Sequence, residues 1–123
     1  MNYLSIDYGS KRIGLALSVS GIIEPFSVVK NDQNFLNYLN NVLQENRIDQ
    51  IFVGVSEGSF AKKTLEFVAD LKTKVSLPIE TVEEAVSTIE ADKIFTANKK
   101  SLKKYKSNID AIAAAVILQR VII

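Results

Sequence analysis

The sequence predicts an α/β fold in which helices cover both faces of one mixed five-stranded sheet. The first thirty residues alternate apolar with small or polar side chains between turn signals, which is typical of an antiparallel meander. Further along, short apolar runs alternate with stretches of helical period, which is typical of parallel strands joined by helices. With 123 residues, of which 47% are hydrophobic, we expect a single domain spanning residues 1–123.

The antiparallel half is predicted as three strands joined by two tight turns. The strands run from Tyr3 to Asp7, from Ile13 to Ser18 and from Ile22 to Lys30. The turns are predicted at Tyr8-Gly9-Ser10 and at Ser20-Gly21, because glycine accepts the backbone angles that tight turns require.

Two amphipathic helices flank a buried strand from Gln50 to Val55. Asp32 is predicted to cap the first helix and Ser59 the second. The residues expected on the inner faces of the two helices are Phe35, Leu36, Leu39, Val42, Leu43, Leu65, Val68, Leu71 and Val75.

The last part of the chain is predicted as one strand followed by two helices. The strand runs from Ile79 to Val82, after Pro78, and the first helix runs from near Glu83 to about Ala97. The second helix begins at Asn108 and is apolar nearly all round, so we expect it to be buried.

Composition excludes several kinds of chemistry. The chain has no Cys and no His, so it can build no Cys nucleophile, no Ser-His-Asp triad and no Cys/His zinc site. Reactions must therefore use carboxylates, lysines, arginines, tyrosines or hydroxyls. The first residues contain no signal-peptide pattern, and no run of about 18 uncharged apolar residues occurs. We expect a soluble cytoplasmic protein with no membrane partner.

Three carboxylates occupy positions that suit a metal site. Asp7 ends an apolar strand, Glu84 follows the last strand, and Asp110 is the only charge between Ile109 and Gln119. If they meet at one end of the strands, they form a cluster of hard oxygen ligands suited to Mg²⁺ or Mn²⁺. Glu83 could take the place of Glu84, since spacing alone does not separate the two.

A structural interpretation is open for each of these acids. Asp7 could be a turn residue. Thr81 with Glu84, and Ser107 with Asp110, each fit a capping box, in which the acid bonds back to the amide of the capping residue.

Net charge at pH 7 is only +1, but the positive charge is unevenly distributed. A segment that we call the lysine segment has no acid and is a candidate contact for a phosphate backbone, or else a solvated loop. It contains Lys99, Lys100, Lys103, Lys104 and Lys106.

Three segments in order resemble motifs of the YqgF-type, Holliday-junction-resolvase-like family. Residues Asp7–Ala16 resemble its opening D-x-G-x-x-R-I-G-x-A, and Val82–Ala91 resemble its V-D-E-R-x-T-T-x-x-A segment. Asn108–Gln119 resemble its D-x-x-A-A-x-x-I-L-Q helix. The resemblance spans essentially the whole chain. It implies a ribonuclease-H-like fold and a nuclease that processes the 5′ end of the 16S ribosomal RNA precursor, or that resolves Holliday junctions.

The resemblance also implies roles for particular residues. Asp7, Glu84 and Asp110 take the acidic positions, which hold one or two Mg²⁺ ions that activate water and steady the leaving oxygen. Lys11 and Arg12 would contact phosphate near the scissile bond, or else they are surface charges at the exit of a hairpin. The lysine segment would hold the nucleic acid farther away.

The sequence departs from the family pattern at two places. Ala85 stands where the family has Arg, and residues Ser56–Ser59 lack the expected Pro. Gly9 and Thr88 keep family positions and are secondary site candidates. Ala85 favours an alternative function, a structured-RNA-binding protein with weak or no catalysis. A third hypothesis, an actin-like ATPase fragment, is opposed by the short chain. RNA or branched DNA as substrate, and monomer or homodimer, stay open.

Overall fold

The computed structural model describes residues 1–56, 58–83 and 109–122. Within these ranges it contains five strands and three helices, which we label in chain order. They are β1 (Tyr3–Tyr8), β2 (Arg12–Val19), β3 (Ile22–Lys30), α1 (Phe35–Glu45), β4 (Gln50–Val55), α2 (Ala61–Lys74), β5 (Ile79–Glu83) and α3 (Ile109–Ile122).

The strands form one mixed sheet in the order β3-β2-β1-β4-β5. The pairs β1–β2 and β2–β3 are antiparallel, whereas β1–β4 and β4–β5 are parallel. Ser20 and Gly21 join β2 to β3 with φ values of 55° and 82°, as a two-residue hairpin turn of the primed type requires. The predicted α/β architecture, a meander extended by parallel strands, is confirmed.

Side chains on β1 alternate between two hydrophobic layers. Leu4 and Ile6 are fully buried in the larger cluster, which also contains the inner residues of α1 and α2. Tyr3 packs on the other side of the sheet, against a second cluster built mainly from α3. Helices therefore cover both faces, as the sequence predicts.

The face that carries α3 is lined by small side chains. Gly14, Ala16 and Ser18 alternate along β2, and all three are buried. From β1, the buried hydroxyl of Ser5 donates a hydrogen bond of 2.5 Å to the carbonyl of Ala114. The small residues of β1 and β2 let α3 approach the sheet closely. This close approach positions the start of α3.

The predicted helix caps are wrong. Asn34 is the N-cap of α1 and Phe60 that of α2, and neither makes a side-chain capping bond in the described part of the chain. Asp32 lies two residues earlier, where its carboxylate accepts a hydrogen bond from the Asn34 amide at 2.9 Å. It therefore shapes the turn before α1. Ser59 precedes the N-cap of α2 by one residue.

One expected core residue of α2 is also misplaced. Leu65 is 51% exposed, whereas its neighbour Thr64 is buried. The Thr64 hydroxyl donates to the carbonyl of Phe60 at 3.3 Å, which satisfies the polar group inside the helix.

The capping-box interpretation of Thr81 and Glu84 is contradicted. Thr81 pairs with Val53 inside β5, which continues as far as Glu83, so Thr81 cannot begin a helix. Beyond Glu83, the helix predicted to reach Ala97 lies outside the described residues. Among the helices of the described ranges, none is long and apolar enough to span a membrane.

Candidate functional site

Asp7 lies near the carboxyl end of β1, in the centre of the sheet. Its partners in register are Gly14 on β2 and Gly54 on β4, so no side chain flanks it on either neighbouring strand. Asp7 is half-buried and makes contacts within the protein. Side chains alternate along a strand, so Asp7 shares a face with Ser5, which bonds to α3. The carboxylate therefore belongs to the side of the sheet that α3 covers.

Gly14 brings the start of α3 to the same place. A β-carbon on residue 14 would overlap the backbone carbonyl of Asp110, so the helix begins directly on the glycine. Residues in register on neighbouring strands have β-carbons about 5 Å apart. The backbone of Asp110 therefore lies over the residue that is paired with Asp7 in the sheet. Two of the three predicted acids share one face at one end of the sheet.

An ion pair links Asp110 to the beginning of β2. The Nε atom of Arg12 lies 3.4 Å from a carboxylate oxygen of Asp110. The Arg12 side chain is 69% exposed and that of Asp110 is 31% exposed. Such a solvated pair stabilises the fold by about 1 kcal/mol at most, so it serves mainly to hold a cation beside the acid.

These two residues line an open cleft of about 230 Å³ together with Gly9, Ser10 and Lys11. Lys11 is exposed and stands in the turn between β1 and β2. The cleft thus combines one carboxylate with two cations at the strand end that carries Asp7. It has room for a small anionic group such as a phosphate.

Two residues hold the turn that forms this cleft. A β-carbon on Gly9 would lie 2.5 Å from the carbonyl oxygen of Arg12, so the turn is too tight for a side chain there. Asn31 bridges the turn from the end of β3. Its Nδ2 donates to the Gly9 carbonyl at 2.8 Å and its backbone N–H donates to the Lys11 carbonyl at 3.0 Å. Sequence reasoning missed Asn31, because a contact with a turn about twenty residues earlier leaves no local pattern in the sequence.

Glu83 does not join the two aspartates. Val82 packs against the α3 cluster, so the alternation of β5 turns Glu83 to the opposite face, where it is exposed. Its backbone carbonyl accepts a hydrogen bond from Arg120 near the far end of α3.

The remaining predicted site residues, Glu84, Thr88 and the lysine segment, lie outside the described residues. Within residues 1–56, 58–83 and 109–122, no group of three or more acids is placed to hold a metal ion. The described part of the site thus supplies two acids, Asp7 and Asp110, and two cations, Lys11 and Arg12.

Comparison with known proteins gives a consistent result for family and fold. A family model described as RuvX, Holliday junction resolvase, matches residues 1–123. A relative from Desulforamulus reducens, named "Putative pre-16S rRNA nuclease", is 35% identical and is aligned over 97% of this chain and 94% of its own length.

Two solved structures share the architecture. The Fowlpox virus resolvase, crystallised with Holliday junction DNA, covers 99% of this chain and 97% of its own, with a TM-score of 0.65 and 15% identity. RuvC of T. thermophilus, in complex with a Holliday junction substrate, covers 99% and 93%, with a TM-score of 0.58 and 16% identity. The chain has the ribonuclease-H-like fold of these resolvases.

Proposed function

The chain belongs to the RuvX family of Holliday junction resolvases. We propose that it is a nuclease that hydrolyses phosphodiester bonds in a 16S ribosomal RNA precursor. One observation carries the proposal beyond family membership. The contact between Gly14 and the start of α3 brings Asp110 to the face and strand end that hold Asp7. Both are half-exposed, as acids that must meet a metal and a substrate should be.

The donor chemistry fits a hard divalent cation. Asp7 and Asp110 offer carboxylate oxygens, which suit Mg²⁺ or Mn²⁺, and the chain has no thiolate or imidazole that would favour softer metals. We propose Glu84 as the third acid in preference to Glu83, because Glu83 lies on the opposite face of β5 from the two aspartates. When bound, Mg²⁺ would supply an activated water and charge stabilisation for the leaving oxygen.

The two cations of the cleft, Lys11 and Arg12, have a role different from that of the acids. Arg12 neutralises Asp110 in the structure, and a phosphate in the cleft would meet the exposed guanidinium and the Lys11 ammonium together. We assign these two residues to the scissile phosphate and the lysine segment to more distant phosphates. A single domain acting in the cytoplasm, where ribosomal RNA matures, completes the proposal.

A second function is favoured by one departure from the family pattern. Ala85 replaces the arginine that follows the acid pair in the family motif. A chain that retained the cations but lost catalytic efficiency would bind structured RNA without cutting it. Binding that weakens with salt but leaves the RNA intact would identify this alternative.

The test compares cleavage of a labelled 16S precursor RNA and a four-way DNA junction. Wild type, Asp7→Asn and Asp110→Asn are assayed in Mg²⁺, in Mn²⁺ and in EDTA. Glu24→Gln is the matched control, because Glu24 is an exposed acid on the edge strand β3. We expect metal-dependent cleavage by wild type and the control, and a loss on the order of 100-fold or more in both aspartate variants. Equal cleavage by wild type and Asp7→Asn would refute the assigned site.

A further inference from the structure

Three aromatic rings form a column at the carboxyl end of β1. The Tyr8 ring lies 4.2 Å from that of Phe67 and 5.9 Å from that of Phe60, with interplanar angles of 18° and 16°. Tyr8 directly follows Asp7, so the column stands at the same end of the sheet as the two aspartates, on the side of α1 and α2. We call Phe60, Tyr8 and Phe67 the aromatic column.

The inner and outer parts of the column differ in their surroundings. Tyr8 and Phe67 pack against the larger core cluster, so both rings contribute to the stability of the fold. Phe60 extends the stack beyond that cluster from the N-cap of α2, where it is half-buried. A large aromatic ring at a helix cap has no capping function, because it offers no acceptor for the helix amides.

A lysine lies beside the outer ring, and a second lysine precedes it in the chain. The Nζ atom of Lys63 lies 6.0 Å from the centroid of Phe60, within the range of a cation–π contact. Lys62 and Lys63 are both exposed in the first turn of α2, which contains no acid. The helix dipole makes this an unfavourable place for cations. An aromatic surface bordered by cations is the combination that binds single-stranded nucleic acid, since the rings stack on bases and the cations meet phosphates.

We propose that the aromatic column is a stacking platform for an unpaired base of single-stranded RNA that passes from the cleft, on the α3 face, around the carboxyl end of β1 to the face covered by α1 and α2. This inference rests on the proposed function and adds a substrate requirement to it. A base held in a duplex has both faces covered by its neighbours and cannot reach Phe60. The site therefore selects RNA that is unpaired beside the cleavage position, with Lys62 and Lys63 meeting the flanking phosphates.

Binding measurements test the platform separately from catalysis. Fluorescence anisotropy of a labelled oligonucleotide in EDTA, which prevents metal-dependent cleavage, is recorded for single-stranded RNA, single-stranded DNA and the RNA duplex of the same sequence. Phe60→Ala removes the outer ring. Phe26→Ala is the matched control, because Phe26 is a phenylalanine 44% exposed in the middle of the edge strand β3.

We expect Phe60→Ala to weaken single-stranded RNA binding by about 10- to 100-fold, which corresponds to one stacked base. Binding of the duplex, and all binding by Phe26→Ala, should stay within about twofold of wild type. The chain has no Trp, so Phe60→Trp introduces a single indole that preserves the stack. Its fluorescence should be quenched by single-stranded RNA and unchanged by the duplex.

Several results would overturn the platform. They are unchanged RNA binding in folded Phe60→Ala, an equal loss for duplex and single strand, and an indole that single-stranded RNA does not quench. Phe60→Ala should weaken binding of single-stranded DNA to a similar degree, because a ring stacks on a base whatever the sugar, and a loss confined to RNA would overturn stacking as its cause. Failure of the nuclease proposal is a different observation, because wild type would then leave the precursor RNA intact in Mg²⁺ while the binding results stood.

Discussion

Gly14 is the position where one added carbon tests how the site is assembled. In Gly14→Ala, the new β-carbon would overlap the carbonyl of Asp110 and lie 2.8 Å from the nitrogen of Ala111. In ordinary van der Waals contact, a β-carbon lies 3.4–4 Å from its neighbours. All the overlapping atoms are backbone atoms of α3, so no side chain can rotate away and the helix itself must withdraw.

The expected size of the effect follows from this withdrawal. Relieving the overlap moves the start of α3 by on the order of 1 Å, which is enough to cost about 100-fold in rate when reacting groups must be aligned. Overpacking of a close contact destabilises a fold by about 1–3 kcal/mol. We therefore expect Gly14→Ala to fold with reduced stability and to lose far more cleavage than stability loss alone explains.

The assay pairs urea unfolding with metal-dependent cleavage of the precursor RNA under conditions where each variant is folded. Gly21→Ala is the matched control, because Gly21 has φ 82° and nothing within 4 Å of an added β-carbon. The left-handed backbone makes that alanine cost about 1–2 kcal/mol without touching the site. Cleavage by folded Gly14→Ala at the wild-type rate, or an equal loss in Gly21→Ala, would show that the α3 contact does not position Asp110.

Two further variants test the turn between β1 and β2. Asn31→Ala removes the hydrogen bond to the Gly9 carbonyl, so we expect about 1 kcal/mol less stability by urea unfolding and a raised KM, whereas an unchanged KM would limit Asn31 to folding. Arg12→Gln removes a solvated ion pair and a proposed phosphate contact. Its stability should change by less than about 1 kcal/mol, while the slope of log K against log[salt] for single-stranded RNA should decrease by about 0.7. An unaltered salt slope would contradict the assignment of Arg12 to phosphate.

Local sequence patterns were sufficient for the strands and for the type of fold. The alternation in β1 and β2 reflects two buried layers, and Ser20-Gly21 carries its own turn geometry. The errors occurred where local and long-range interactions compete. Thr81 fits a capping box by spacing, but parallel pairing of β5 with β4 holds it in a strand. Leu65 fits the helical stripe, yet the buried position belongs to Thr64, whose hydroxyl bonds within the helix.

Only part of the candidate site could be predicted from residue types alone. Asp7 and Asp110 are conspicuous as lone acids beside apolar runs, and the structure brings them to one face. The proposed preference for Glu84 over Glu83 rests on the packing of Val82 against the α3 cluster, which spacing does not encode. Asn31 acts through contacts with a turn about twenty residues earlier, and such contacts leave no periodic signal.

The residues of the segment Asp7–Ala16 contact one another and α3. Gly9 allows the turn to close on the carbonyl of Arg12, Arg12 pairs with Asp110, and Gly14 admits the helix that carries Asp110 to Asp7. Gly9 and Gly14 are therefore needed for space and not for backbone flexibility, because each leaves room for a backbone group that forms the cleft. Replacing either glycine should disturb the site even when every charged residue is retained. A relative with the acids but without these glycines would need another way to bring α3 to the end of β1.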